Sequence, residues 1–481
     1  MKAKIKKALT DKDFSELIKG SGISFFLRFG GLAVGYLLTL VIANLFGAKG
    51  LGDYVLAITV LRLFTLLAKA GLDTTSIRFI ASFATKDKWT SIFIFRKQVV
   101  TILSFTSIIA SLLMYFLAIP IADLINANPH FIQLNAFFVL PMVFFMLHYQ
   151  SLRGLKRIAE FSFFYRVSQA LISVIVIIIL YQCIPFVYEI PPLSVILPNG
   201  YSVGLDTTES VPIYAYLVSV LIVSFLSFLS FRYWLKNRSD GKESAEKEIM
   251  SYSTLLKISI PLMFAQSVQF IMAWTDKLML GAIDTSSVIL KNSEDAGIIL
   301  TNSQSVGVYH TAFKLSMFAA IALMSINSIA SPKFAEMFGK NDMEGLKKVV
   351  HQSTKLIFWT SVPLVTIFFI FPEFFLGLFG EEFKIGVTAF ILLSCGRLIS
   401  SFSGSVGNIL QMTGNQNIYA LVLFFGAILN IVLNLILIPE YGINGAAIAS
   451  MSSLIVWNLS MVLVVKKKFG FYTFYIPFIK R

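Results

Sequence analysis

Cysteine is nearly missing from this chain: Cys183 and Cys395 are the only two in 481 residues, both inside apolar stretches. With no metal-ligand spacing they exclude a disulfide framework or thiolate cluster, and both read as small hydrophobes. Histidine is as sparse, with His130, His148, His310 and His351 scattered outside any ligand pattern. Gly47, Gly50 and Gly52 form a tight turn without the lysine and hydroxyl of a phosphate-binding loop, so no ATP signature is present. Asp11-x-Asp13 matches a metal–nucleotide pair of many glycosyltransferases, but it lies in a Lys-rich tail with no domain around it and reads as solvated. The longer polar connections, Pro185 to Val211 and Ile283 to Ser305, are too small for a catalytic domain. Acidic residues are outnumbered, 26 against 40 Lys and Arg.

What fills the chain is apolar: 56% hydrophobic residues and a mean hydropathy of +0.78 mark a polytopic membrane protein. Runs able to cross roughly 30 Å of hydrocarbon fall at 21–46, 52–83, 96–119, 131–152, 158–184, 211–235, 254–282, 306–331, 346–371, 385–411, 418–438 and 443–465, twelve spans in all. The formal net charge of +14 follows topology rather than nucleic-acid binding. Lys and Arg crowd the N-terminal tail, the even-numbered connections and the C-terminal tail, leaving only Lys49, Lys291 and Lys384 on the other side. The positive-inside rule therefore places both termini in the cytoplasm. The first twenty residues are too polar for a signal peptide, so the first span is expected to act as an uncleaved insertion signal. Trp89 and Trp234, near inside boundaries, read as interfacial anchors.

The charged stretch Lys236 to Glu248 divides the chain almost in half. The expected organisation is a cytoplasmic tail over 1–20, a six-helix lobe over 21–236, a linker over 237–252, a second six-helix lobe over 253–468 and a tail over 469–481. Six crossings per half make the halves parallel repeats about an axis along the membrane normal. Short matches support this: Leu17-Ile18-Lys19 with Leu255-Leu256-Lys257, Gly52-x-Tyr54 with Gly307-x-Tyr309, and Arg78-Phe79 with Lys333-Phe334.

Cations inside the spans are the feature that asks for a function. Arg62 lies about nine residues, ~14 Å, from the outer end of span 2, where a guanidinium costs about 2.5 to 3.5 kcal/mol on insertion scales. Arg62, Lys69 and Asp73, spaced by seven and four, share a helical face. Ser21, Ser24, Arg28, Gly31, Gly35 and Thr39 form a small polar stripe on span 1, and Arg397, Ser401, Gly404, Asn408 and Gln411 another on span 10. Span 8 aligns His310, Lys314, Ser325 and Ser328, and span 11 offers Asn430 and Asn434. Lys355 reads as snorkelling to the interface, Arg28 and Arg166 either snorkel or line a cavity, and the Asn and Ser stripes are open to interhelical hydrogen bonding. Asp276 and Lys277, near the outer end of span 7, are placed where both can be solvated. Cations held in a cavity of low dielectric attract an anion, and guanidinium forks suit phosphate oxygens.

The stretches Asn44 to Tyr54, Gly71 to Arg78, Ile260-Pro261 through Asp276-Lys-Leu-Met-Leu-Gly281, Gly307-Val-Tyr309 and Tyr441 to Ser450 resemble the oligosaccharide flippase branch of the multidrug/oligosaccharidyl-lipid/polysaccharide exporter (MOP) superfamily. The resemblance runs from about Leu17 to Gly470 through diffuse motifs. It implies an all-α, MATE-like fold of two six-helix lobes alternating between inward-open and outward-open states. The implied activity is translocation of undecaprenyl-pyrophosphate-linked repeat units, as for O-antigen, lipopolysaccharide and other polysaccharides, across the bacterial inner membrane. It also implies a polysaccharide polymerase and chain-length machinery as partners beside the membrane lipids, and no nucleic acid. Basic cavity positions on spans 1, 2 and 8 correspond to Arg28, Arg62 and Lys314, the last being lysine where arginine is usual. Lys69 and Arg397 complete the candidate cargo-binding set. No cofactor is implied; coupling to a proton or sodium gradient is, with Asp73 and Asp276 as the carboxylates, unless each merely neutralises Lys69 or Lys277.

A drug or organic-cation antiporter of the same fold calls for carboxylates without competing cations, which this chain does not offer. A membrane glycan polymerase or ligase calls for a large outer loop with clustered catalytic side chains. A non-transporting scaffold has little reason to keep central arginines.

Overall fold

A computed structural model describes residues 12–188, 195–196, 202–203, 210–239, 250–285, 287–288, 290–291 and 297–475. The N-terminal tail with Asp11, most of the charged linker and the last six residues lie outside the described residues, as do the side chains of Arg28, Cys183 and Ser328.

The chain is a multi-pass, nearly all-helical membrane protein. Its first half comprises α1 (Lys12–Ala68), α2 (Leu72–Thr85), α3 (Trp89–Phe116), α4 (Ala118–Ile125), α5 (Pro129–Ala136), α6 (Val139–Gly154), α7 (Ile158–Phe163), α8 (Gln169–Tyr188) and α9 (Val211–Ser239). The second holds α10 (Tyr252–Ala282), α11 (Asn302–Ser316), α12 (Phe318–Gly339), α13 (Met343–Ile370), α14 (Pro372–Gly377), α15 (Val387–Ser403), α16 (Val406–Met412) and α17 (Gln416–Phe469). Two short antiparallel hairpins sit in the longer connections, pairing Val195 with Val203 and Leu290 with Ile298.

Among the described residues seven helices are long and apolar enough to cross a membrane, and three bent pairs bring the number to ten. Two of the seven run to 40 and 54 residues, too long for one crossing, and each is broken at a glycine with positive φ, Gly47 (68°) and Gly442 (53°). Counting their arms separately gives the twelve crossings that the hydropathy pattern predicts. At the second break a Cβ on Gly445 would lie 2.1 Å from the Leu437 carbonyl oxygen, so the chain doubles back there. Large apolar side chains such as Phe105 (68% exposed) and Phe116 (74%) remain uncovered by protein, as lipid-facing residues do.

Helix ends obey local chemistry. Pro129 opens α5 behind Asn128, whose side chain accepts from His130 N at 2.9 Å. Thr301 and Gln304 form a capping box at α11, and α17 ends on Lys466, Lys467 and Lys468 before Gly470 in the left-handed region.

Contacts group the residues into two compact units: Met1–Leu45, Ala57–Asp123 and Asn128–Ser267 form one, and Phe46–Leu56, Leu124–Ala127 and Val268–Arg481 the other. In the first unit α8 packs on α9 and α9 on α6, with Ser173 donating to Ser219 Oγ at 2.8 Å between α8 and α9. Between α7 and α8 a π-helical turn, Phe164–Ser168, carries Arg166, and a Cβ on Gly31 would come within 2.7 Å of Arg166 Cβ. In the second unit a buried cluster of Phe334, Leu346, Ile409, Val462 and Phe471 ties α12, α13, α16 and α17 to the C-terminal segment. The Gly47 turn belongs to this unit: Cβ atoms on Gly52 and Gly307 would overlap the carbonyls of Ser303 and Ala48, so the matched glycines serve close backbone approach.

Two expectations fail here. Trp89 is 4% exposed and donates to Asp87 Oδ1 at 3.1 Å, so it is packed into protein rather than anchoring an interface. Span 2 is not continuous: α1 stops at Ala68 and α2 starts at Leu72, with Ala70 (φ 46°) and Gly71 (φ 73°) forming the joint. A Cβ on Gly71 would stand 2.2 Å from the Ser259 carbonyl of α10. Gly71→Ala is therefore expected to cost at least ~2 kcal/mol, the left-handed penalty plus the overlap. Gly35→Ala, inside α1 with nothing within 4 Å, is the control and is expected to lose no stability or to gain up to ~1 kcal/mol; thermal midpoints in detergent measure both.

Candidate functional site

The joint between α1 and α2 builds the first polar cluster. Lys69 and Asp73 are 9% and 2% exposed, and the Lys69 ammonium donates to Asp73 Oδ2 at 2.9 Å and to Gln266 Oε1. Gln266 Nε2 in turn donates to Thr74 Oγ1 at 2.8 Å. Asp73 Oδ1 is buried and accepts no hydrogen bond. The i, i+4 spacing thus yields a buried ion pair that spans the joint, from Lys69 in the turn to Asp73 in the first turn of α2, rather than lying on one helix face. Arg62 stays on α1, half-buried, and its register is not carried across the joint. Buried Tyr149 of α6 lies within electrostatic reach of both Arg62 and Asp73, so the three span 2 candidates share one neighbourhood. Arg166 stacks on Tyr165, its guanidinium 5.2 Å from the ring centre.

A second cluster forms in the other unit around Asp276 of α10. Its Oδ2 accepts from Tyr309 OH at 2.6 Å and from Ser450 Oγ. Its Oδ1 accepts from Asn430 Nδ2 at 3.0 Å and Asn434 Nδ2 at 2.8 Å. Four donors from α11 and both arms of α17 converge on one carboxylate and occupy the lone-pair sites it has. Asn434 Oδ1, beside it, is buried without a hydrogen-bond donor. The expectation that Asp276 and Lys277 are solvated is overturned: they are 3% and 2% exposed. Lys277 Nζ donates to the Ala273 carbonyl at 2.9 Å and sits 4.1 Å from the centre of the Phe313 ring. Burial is tolerable because an aromatic face and a carbonyl replace water around the ammonium.

Arg397 of α15 joins this cluster, its guanidinium 5.4 Å from the same Phe313 ring. It lines a cavity of about 50 Å³ together with Phe313, Asn430, Ser450, Ser453 and Trp457. That volume holds a few waters. Two of the residues that bind Asp276 therefore face the space that Arg397 faces. Gly396 permits the approach, since a Cβ there would lie 3.2 Å from Met451 Cα of α17. Lys314, half-buried, ends α11, where the helix C-terminus favours a cation. The stripe through Ser325 is interrupted, because span 8 bends by 44° between Asn302–Ile321 and Leu323–Gly339, inside α12, although His310 and Lys314 remain on one segment.

Sequence reasoning named Asp276, Asn430, Asn434 and Arg397 but did not join them, and it missed Tyr309, Ser450 and Gln266 as partners. The available signal was a buried-span tyrosine and serine lying in the same stretches that carry the resemblance.

This architecture is the fold shared by the solved transporter structures on which it superposes. A lipid II flippase MurJ in an inward closed conformation superposes with a TM-score of 0.66 at 17% identity, covering 94% of this chain and 89% of that one. An inward-facing MATE-family multidrug resistance transporter follows with 0.63 at 14%, covering 91% and 98%. In sequence, residues 297–436 match the MatE family model. Among curated proteins, the membrane protein MJ1068 of Methanocaldococcus jannaschii is 25% identical over 238 residues, 48% of this chain and 44% of that one. The probable low-salt glycan biosynthesis flippase Agl15 of Haloferax volcanii is 29% identical over 143 residues, 30% of each chain. The matched stretches span less than half the length of these curated relatives.

Proposed function

We propose that this protein is a flippase that moves polyprenyl-pyrophosphate-linked oligosaccharide repeat units across the membrane by alternating access. In a bacterial inner membrane the carrier is undecaprenyl pyrophosphate, and the termini are cytoplasmic as the Lys and Arg bias requires. Arg28, Arg62, Lys69, Lys314 and Arg397 are the cargo-binding set. A pyrophosphate needs several cations at once, because its charge is otherwise stranded in a medium of low dielectric. The observation that carries this reading is Arg397: a guanidinium within a membrane span that borders a cavity of about 50 Å³. The similarity to a glycan flippase and the MurJ-like fold support the cargo class.

Asp276 is the proposed coupling carboxylate. The ion it takes is a proton or sodium; entry requires one donor to turn away, and rotating Ser450 or turning the Asn434 amide supplies an oxygen in place of a donor. Arg397 lines the cavity reached from Asn430 and Ser450, so an anion held there changes the field at Asp276 and links cargo to ion. Replacing sodium by choline at fixed pH separates the two ions. Asp73 contacts Lys69 directly, which makes neutralisation of that lysine its primary role.

An organic-cation antiporter is disfavoured by the same geometry, since the Asp276 oxygens already accept four hydrogen bonds and cations flank them. Arg62→Ala is expected to remove surface glycan in a complemented deletion strain at unchanged protein level, whereas Lys348→Ala, exposed at the start of α13, is tolerated. Normal glycan with Arg62→Ala overturns the assignment of Arg62.

A further inference from the structure

A cavity of about 620 Å³ in the second unit lies far from Asp276 in sequence and is used by nothing above. Its walls are the first turns of α13, the last turn of α17 and the segment after it. Lys347, His351 and Lys355 recur every four residues, so one face of α13 supplies two ammoniums and an imidazole over ~12 Å. Lys466 faces them from α17, its Nζ 4.8 Å from the Tyr472 ring centre, and Lys355 Nζ stands 6.0 Å from that of Tyr475. Among the described residues no Asp or Glu lines the cavity.

The wall is built rather than incidental. Thr473 Oγ1 donates to the Ser403 carbonyl at 2.8 Å, Trp359 Nε1 donates to Tyr475 OH at 3.3 Å, and Phe471 is 6% exposed within the buried cluster. The C-terminal segment is thereby pinned over α13, with its tyrosines turned to the lysines. Beside and one turn beyond Lys355 on α13 the side chains become apolar and uncovered, Leu356 at 55% and Trp359 at 51%. A ligand seated here meets cations and tyrosines at one end and a lipid-facing helix surface at the other.

We infer that this cavity binds the phosphate headgroup of an anionic membrane phospholipid, with an acyl chain running along α13. It sits at the end of the unit that the Lys and Arg bias assigns to the cytoplasmic leaflet, where basic pockets between spans recognise such headgroups. A free phosphate satisfies the ammoniums but leaves the adjoining apolar wall unused. The volume matches small-ligand sites.

The test is native mass spectrometry of the full-length protein released from detergent after incubation with palmitoyl-oleoyl phosphatidylglycerol or the matching phosphatidylcholine. The expected result is one phosphatidylglycerol retained per chain and no retained phosphatidylcholine. Lys347→Gln/Lys355→Gln/Lys466→Gln should lower phosphatidylglycerol retention at least about tenfold. Lys348→Gln/Lys467→Gln/Lys468→Gln removes the same charge from neighbouring exposed positions and should retain it. Equal retention by the two triple variants overturns the site. Equal retention of the two lipids by the unaltered protein overturns it independently of any variant. Displacement of phosphatidylglycerol by millimolar inorganic phosphate overturns the lipid assignment in favour of a soluble anion.

Discussion

Asp276→Ala is expected to abolish transport and to destabilise the protein by about 3–5 kcal/mol, the range for removing one partner from a buried charged network. The substitution leaves Tyr309 and Asn434, both 0% exposed, with donors aimed at an empty site. Hydrogen bonds within membranes average only ~0.6 kcal/mol each because alternative partners exist. Asn430 and Ser450 have such an alternative, since they border the cavity and water can reach them. Tyr309 and Asn434 do not line it and keep only longer bonds, Tyr309 OH to Ser450 Oγ at 3.3 Å and Asn434 Nδ2 to Asn430 Oδ1 at 3.2 Å, so the loss concentrates on them. Asp276→Asn keeps the shape and should cost less, about 1–2 kcal/mol, while still removing the charge to which a coupling ion binds. Thermal midpoints in detergent and ion-driven uptake in vesicles read the two effects separately. Full ion-driven transport by Asp276→Asn removes Asp276 from the coupling site.

The Lys69–Asp73 pair should give the second large effect, with a sign reversal that a surface pair cannot show. Asp73→Ala strands a buried ammonium and is expected to cost about 3–5 kcal/mol, whereas Lys69→Met/Asp73→Leu replaces both charges by apolar volume and should return to within ~1 kcal/mol of the starting stability. Gln266 then loses one partner but keeps Thr74. Transport separates structure from function here. If Lys69 grips the cargo, the double variant regains its thermal midpoint and remains inactive; recovery of both shows a purely structural pair.

The spans were legible because hydrocarbon thickness sets segment length and leaves a continuous apolar record. The break at Gly47 was readable as a turn between spans, and Gly442 falls in the gap between the spans drawn at 418–438 and 443–465. Helix interruption at Lys69 to Gly71 was not, because Ala70 in the left-handed region has no local signature; it is imposed by the approach of Ser259 and Met263 to Gly71. That tertiary contact broke a face drawn on the assumption of an unbroken helix. Lys277 was misplaced for a related reason: position along a span gives depth, but burial depends on Trp274 and Phe313, one on the next turn and one on another helix. Asp276, Asn430 and Asn434 stood out as polar residues in apolar runs, yet their convergence joins positions 154 and 158 apart in the chain, which spacing does not encode.

The measurement closest to the proposed activity is translocation of a purified polyprenyl-pyrophosphate-linked oligosaccharide in vesicles containing this protein alone. Oligosaccharide exposed on the outer face should disappear from a membrane-impermeant lectin faster than in protein-free vesicles, with Arg62→Ala and Arg397→Ala reducing that rate at least about tenfold. Equal rates in vesicles with and without the protein, at matched lipid and ion gradients, contradict the flippase reading.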